Sequence, residues 1–447
     1  MKRNHFFLLI AFLAFSFLSF ESCNDSKDDK TDTQDSSQVV PQEPDNKSNP
    51  NQEQKQETVK YPEGEFSLAQ AKTPAEIVKA MGLGWNLGNQ MDAHENGVSN
   101  ETCWIHQETT QQLFNKLKEA GIQTVRIPVT WMGHIGAAPD YKIEEAWLNR
   151  VAEIVDYAEN AGLNAIINIH HDGSDSKYWL DIKNAALSTS KNEQVTAEIK
   201  ALWQQIAEKF KDKGDFLIFE GFNEIQDGGW GWGANRSDGG KQYNTFNGWL
   251  KVFVETVRAT GGNNATRWLG IPSYDTDIDL CEHLVLPEDP ANKLLVAVHF
   301  YMPYEYTLED KYKSWGHTGK NNASYGQEKD IQTALKKMYT RYTSKGIPVY
   351  VGEFGNIHHK TAKEEEYRKY YLEYVVKCMH DNFLAPVLWD NGSVNSGSEC
   401  HGYFNHATGE YINNAQEMIE VMVKAATNSD SDYTLDWIYN NSAPKAK

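Results

Sequence analysis

The sequence predicts an α/β fold, a single (β/α)8 barrel of the TIM type, and three observations predict it. From Tyr61 onward, short apolar runs alternate with amphipathic helical stretches. That alternation implies parallel strands joined by crossover helices. The runs number eight, the count at which such a sheet closes into a barrel. Polar residues then crowd the C-terminal tips of the runs, the rim where barrels of this kind carry their chemistry.

In chain order the strands are predicted at Gly82–Leu87, Thr124–Val129, Ala165–Ile169, Phe216–Gly221, Trp268–Ile271, Leu295–Tyr301, Val349–Gly352 and Ala385–Trp389. Helices are predicted at Thr109–Ala120, Glu144–Asn160, Val195–Lys211, Tyr243–Thr260, Lys329–Ser344 and Glu364–Asp381, with Asn414–Ala426 closing the set. After Trp268–Ile271 only a short helix around Ile278–Leu284 is expected. Glycine stops helices at Ala120-Gly121, Ala161-Gly162 and Lys345-Gly346, each just ahead of a strand. An open doubly wound sheet is the competing arrangement. It would want a glycine-rich phosphate turn, and Gly82-Leu83-Gly84-Trp85 lacks both the third glycine and a helix directly after it. The barrel is expected to occupy residues 61–447, with no room for a separate carbohydrate-binding module.

A net charge of −19 argues against nucleic acid as a partner. The first residues read as an export signal: Lys2 and Arg3, an apolar stretch from Phe6 to Phe20, then Ser22-Cys23. Leu18-Ser19-Phe20-Glu21-Ser22-Cys23 resembles a bacterial lipobox, with Glu21 unusual inside one. Residues 1–23 are therefore expected to be a lipoprotein signal peptide, with Cys23 acylated and anchored in the outer membrane. An ordinary signal peptide cut elsewhere is the alternative. Ser26-Lys27-Asp28-Asp29-Lys30 is similar to the acidic surface-export signals of lipoproteins in the Bacteroidetes group, which points to the cell surface. Residues 24–60 contain no aromatic side chain and read as a disordered polar linker. Cys103, Cys281, Cys378 and Cys400 remain, and spacing assigns no disulfide among them. No zinc spacing appears and no cofactor is expected.

Eight residues stand out, Leu217 to Glu224 (L-I-F-E-G-F-N-E): an apolar run that ends abruptly in Asn223-Glu224. Val349-Tyr350-Val351-Gly352-Glu353 has the same design. Two carboxylates at one rim are the minimal equipment for cleaving a glycosidic bond, one giving a proton while the other attacks. The other tips are Asn86-Leu87-Gly88-Asn89, Arg126-Ile127-Pro128, His170-His171-Asp172, His299-Phe300-Tyr301 and Trp389-Asp390. Charged or polar groups at seven of eight strand ends exceed what structural ion pairs require.

In this ordered set of tips the chain resembles glycoside hydrolase family 5, the cellulase family of clan A, over nearly all of Tyr61 to Ala426. The resemblance implies that Glu224 is the acid/base and Glu353 the nucleophile. It implies that Arg126 and Tyr301 hold the nucleophile ionised, and that His299 sits beside the acid/base. Asn223 matches the donor to the sugar 2-hydroxyl, and Trp389 the platform under the sugar next to the cleaved bond. His170 matches a strand-three histidine; strand alternation admits only one of His170 and His171 to the mouth.

Blander readings cover other candidates. His170-His171-Asp172 suggests a metal site, but neighbouring strand residues diverge and no H-x-H stands on the first strand. His358-His359 is expected on the loop surface; Asp92, Asp172 and Asp390 are expected to be hydrogen-bond supports. Trp131, Trp179, Trp230, Trp232 and Trp315 are expected to line a cleft with Trp389, while Trp85, Trp203 and Trp268 fit a core. The reading is a secreted, retaining, endo-acting β-1,4-glycanase for a plant polysaccharide. β-Glucan or xyloglucan leads because Asn86-Leu87-Gly88-Asn89 resembles the endoglucanase side of the family. The alternatives are an endo-β-1,4-mannanase and a non-catalytic glycan-binding surface lipoprotein.

Overall fold

The computed structural model describes residues 60–445. The predicted signal peptide with Cys23, and the predicted linker through residue 59, lie outside the described residues. Eight parallel strands close into a barrel in chain order: Gly84–Asn86, Thr124–Ile127, Asn164–Ile167, Leu217–Glu220, Leu269–Pro272, Leu294–Phe300, Val349–Phe354 and Leu384–Leu388. These are strands one to eight below, and each lies on a predicted run. The first and eighth close the ring, with Gly84 opposite Val387 and Trp85 opposite Leu388. A Cβ on Gly84 would come within 2.9 Å of the Val387 side chain, so glycine is what lets these two strands approach.

The helices fall where the 3.6-residue periodicity puts them, at Gln111–Glu119, Glu145–Asn160, Thr189–Lys209, Lys241–Ala259, Glu328–Arg341, Ala362–Asp381 and Ala415–Thr427. The third begins earlier than expected because Ser188 caps it, accepting from the Lys191 backbone N–H. A 3-10 turn at Leu280–His283 takes the place of a full helix after strand five. Among the helices not predicted, Pro74–Met81 starts with a Thr73–Glu76 capping box and a proline in its first turn. Its Ile77, Val78 and Met81 pack with Leu68, Ile166, Ile218, Leu295 and Val387, plugging the N-terminal mouth of the barrel. Cys103, Cys281, Cys378 and Cys400 form no disulfide.

Alternation decides which side chains enter the barrel. Ile166, Ile218, Leu295, Tyr350 and Val387 belong to the inner cluster, while Ile167, Phe219, Val296, Val351 and Leu388 pack outward under the helices. Asn86, Arg126, Asn168, Glu220 and His299 share the inward parity of their strands. Glu353 does not: counted from Tyr350, it would point outward. The register resolves this, because Val298 pairs with Val351 whereas the next residue, His299, pairs with Glu353. Strand seven thus carries one extra residue, Gly352, and the bulge turns Glu353 to the barrel axis. A Cβ on Gly352 would sit 3.3 Å from His299 Nε2.

Candidate active site

Arg126, rising from strand two, is fully buried and spends all three guanidinium nitrogens. Nη1 donates to Glu353 Oε1 at 2.7 Å and to Asn86 Oδ1 at 2.9 Å. Nε and Nη2 grip Glu220 through Oε2 at 2.9 Å and Oε1 at 2.7 Å, a bidentate pair, and Nη2 also reaches Asn223 Oδ1 at 2.7 Å. Burial pushes the Glu220 carboxyl up, but Arg126 outweighs it and holds Glu220 below the usual carboxylate range. Tyr350 OH donates to Glu220 Oε2 at 2.6 Å and Asn168 Nδ2 to Oε1 at 3.0 Å. With its oxygen taken by Arg126, what Asn223 can offer a sugar hydroxyl is its NH2.

Glu353 also accepts from Tyr301 OH, at 3.2 Å on Oε2. Asn86 donates to the Gly352 carbonyl at 2.8 Å, tying strand one to the bulge that aims Glu353. Across the mouth, Glu224 Oε1 lies 2.6 Å from His299 Nδ1, and the same nitrogen is 3.7 Å from Glu353 Oε2. Oxygens of Glu224 and Glu353 lie within 4.8 Å of one another. Burial pushes the Glu224 carboxyl up, yet its hydrogen bond to His299 and that ring's charge hold it below the usual range. Glu353 ends above the usual range: burial raises it, His299 and Arg126 oppose, and the Glu224 charge adds to burial. Because Glu353 feels the Glu224 charge, the two titrate as a coupled pair and not independently.

His170 and Trp389 face each other across the mouth with parallel rings, centroids 6.3 Å apart. A Cβ on Gly88 would strike the Trp389 ring at 2.8 Å, so this glycine seats the indole. Burial, His171 and Arg126 hold His170 well below the usual histidine range, so its ring is neutral. Of the two expected site histidines, His171 is the one that turns away: its Nε2 is 3.6 Å from Asp92 Oδ2 and its ring lies beside His94 and Trp104. One donor atom each from Asp92, His170 and His171 lie within 4.8 Å, as do those of Glu224, His299 and Glu353, so among the described residues two sets are close enough to meet a cation.

Asp172 and Asp390 are supports as expected. Asp172 accepts from Trp131 N and Trp179 Nε1, and Asp390 from Trp85 Nε1. The tryptophans divide differently from expectation. Trp131 and Trp315 are fully buried, their indole N–H groups bonded to the Asn168 and Gly326 carbonyls, and they line no cleft. His358 and His359 are buried too, His358 between Arg368 and the Gly402 carbonyl. Trp230 and Trp232 are 56% and 80% exposed, on a loop stapled by Gln226 and Asp227. Trp104, which sequence reasoning passed over, is 40% exposed beside His171.

Glu220, Asn168 and Tyr350 were also passed over. A signal existed for Glu220: a charge at an inward position of an apolar strand must find a buried opposite charge, and Arg126 is the only arginine among the strand tips.

Residues 90–395 match the family described as Cellulase (glycosyl hydrolase family 5). A broad-specificity endoglucanase from Bacteroides salanitronis is similar at 53% identity and a TM-score of 0.79, covering 82% of this chain and 98% of that one. A family 5 xyloglucanase from Paenibacillus pabuli is similar at 36% identity and a TM-score of 0.73, covering 78% and 100%. Endoglucanase A of Paenibacillus barcinonensis is 37% identical over 341 residues, 72% of this chain and 83% of that protein. A barrel with two rim carboxylates, matched over this span, leaves one assignment: the chain belongs to glycoside hydrolase family 5 and is a retaining glycoside hydrolase.

Proposed function

We propose that the chain is an endo-β-1,4-glucanase for soluble, side-chain-bearing or mixed-linkage β-glucans, with xyloglucan its leading substrate. The observation that carries the chemistry is the approach of Glu224 and Glu353 oxygens to within 4.8 Å. Retaining glycosidases separate these carboxyls by ~5–5.5 Å, whereas inverting ones need ~6.5–9.5 Å to admit a water. In this reading Glu353 attacks the anomeric carbon while Glu224 protonates the departing oxygen. Glu224, now ionised, then takes a proton from the water that releases the sugar from Glu353. Arg126 and Tyr301 donate to Glu353 and favour its charged form against burial, Asn223 donates to the 2-hydroxyl, and Trp389 lies beneath the sugar.

The substrate reading is supported by the relatives, two of them endoglucanases and one a xyloglucanase. Exposed Trp104, Trp230 and Trp232 offer flat apolar faces on which sugar rings stack. Reducing-sugar release measured across xyloglucan, barley glucan, carboxymethyl cellulose and mannan tests it. Xyloglucan or barley glucan should be cut with a steep loss of viscosity per bond broken. Hydrolysis of mannan with every β-glucan resisting overturns the substrate while leaving the catalytic pair intact.

We further propose that the enzyme acts outside the cytoplasm, anchored by an acylated Cys23 in the outer membrane, with residues 24–60 as its tether. The support is the sequence pattern: a basic start, an apolar stretch, then a cysteine and an acidic polar run. Radiolabelled palmitate should enter the wild-type protein and not Cys23→Ala. Equal labelling of both, or of neither, removes the anchor.

A further inference from the structure

A buried amide, Asn168, lies against the ring of His170 at the barrel mouth. Asn168 lies just past strand three, 1% exposed, on the inward parity between Ile166 and His170. Its three polar contacts leave its orientation no freedom. Oδ1 is 3.0 Å from the Val129 backbone N–H, which can only donate, so Oδ1 is the acceptor. Nδ2 is 3.0 Å from Glu220 Oε1, a carboxylate already gripped by Arg126, which accepts. Flipping the amide would set donor against donor at Val129 and acceptor against acceptor at Glu220. Nδ2 therefore carries its hydrogens toward its third neighbour, His170 Nδ1, at 3.1 Å.

We propose that Asn168 is a positioning residue that fixes the tautomer of His170, so that the ring presents Nε2–H and not a lone pair to the sugar. An Nδ1 that accepts from an amide holds its own lone pair, so the single proton of the neutral ring sits on Nε2. The assignment runs along one hydrogen-bonded chain, from Glu353 through Arg126, Glu220 and Asn168 to His170. The counter-charge of Glu353 and the orientation of His170 thus share a support. A protonated Nε2 also takes that nitrogen out of the Asp92–His170–His171 set as a cation ligand. The role toward sugar rests on the function proposed above; the tautomer itself does not.

The test is nitrogen NMR of the whole protein with 15N-labelled histidine, the His170 signals assigned by difference from His170→Asn. Wild type should show an Nε2–H ring with a bare Nδ1. In Asn168→Asp an oxygen that can accept replaces the amide N–H facing Nδ1, so the ring proton should move to Nδ1 and leave the lone pair on Nε2. In Asn168→Leu, which carries no added charge, the ring should lose its single tautomer. With xyloglucan, kcat/KM of Asn168→Asp should fall about 10–100-fold, the usual range for a support behind an active group. A wild-type ring protonated on Nδ1 overturns the proposal. So does loss of activity in both variants with the tautomer unchanged, the signature of a merely structural role. A correct tautomer in an enzyme inert toward every β-glucan would instead overturn the substrate reading alone.

Discussion

Glu353 and Glu224 are the same residue type, with oxygens within 4.8 Å of each other, yet their surroundings share little. Glu353 is 8% exposed and faces hydrogen donors, Arg126 and Tyr301, on a base of Asn86 and Glu220 that is hydrogen-bonded throughout. Glu224 is 25% exposed and has one close partner, His299. The contrast fits the two jobs proposed for these residues. A carboxylate that must stay charged and aimed gains from fixed donors built before the substrate arrives. A carboxyl that must give up and regain a proton in each cycle needs access and a light hold. The resting directions differ from the reacting ones, since His299 pulls Glu224 down and burial pushes Glu353 up.

The comparison breaks most sharply at Glu353. Glu353→Ala should lose about 10⁴-fold or more in rate, as expected when a covalent route is removed. A 2-fluoro glycoside should label this residue in the wild type, read by mass spectrometry of the peptide. Label on Asp390 or Asp172 would reassign the nucleophile.

Glu224→Ala should cost about 10²–10⁴-fold on polysaccharide, the range for general acid–base catalysis. It should cost much less on an aryl glycoside whose leaving group needs no proton, and azide should restore turnover by replacing the activated water. Equal losses on both substrates without azide rescue would place Glu224 among the supports.

Glu220 separates the rigid half from the open one. Glu220→Ala leaves Arg126 buried with half its charge partners gone, and stability should fall by about 3–5 kcal/mol in chemical denaturation. His299→Phe, on the open half, should cost far less stability. Comparable losses would deny that the network is confined to the Glu353 side.

The smallest effect is a displacement in pH. His299 lowers both carboxyls, so removing its charge should raise both. The two limbs of the kcat/KM profile report those groups in the free enzyme, and in His299→Phe both should move to higher pH. Limbs that stay in place would mean that His299 carries no charge in the working enzyme.

Much of this site was legible in the sequence, and the reason is alternation. Apolar runs with a period of two fix which residues of a strand share a face, so Arg126, His170 and His299 could be set on one rim before any fold was known. Alternation admitted only one of His170 and His171 to the mouth, and the fold decided that His171 is the one turned away. Glu220 was visible and passed over, because a charge in an apolar run acquires meaning only when its partner is found on another strand.

The sequence by itself determined the eight strands, the helices between them and the tips that carry polar groups, since each rests on the periodicity and punctuation of a few neighbouring residues. Tertiary structure alone decided the rest. The Gly352 bulge that turns Glu353 inward exists only against the registers of strands six and eight. Trp131 and Trp315 look like cleft tryptophans in the sequence, and only folded loops give their indoles buried carbonyls to bond. The tautomer of His170 depends on Val129, Glu220 and Asn168, brought together at the ends of strands two, four and three. Local pattern sets which face a side chain is on; what it meets there is set by residues distant in the chain, and through them its charge, its proton and its use.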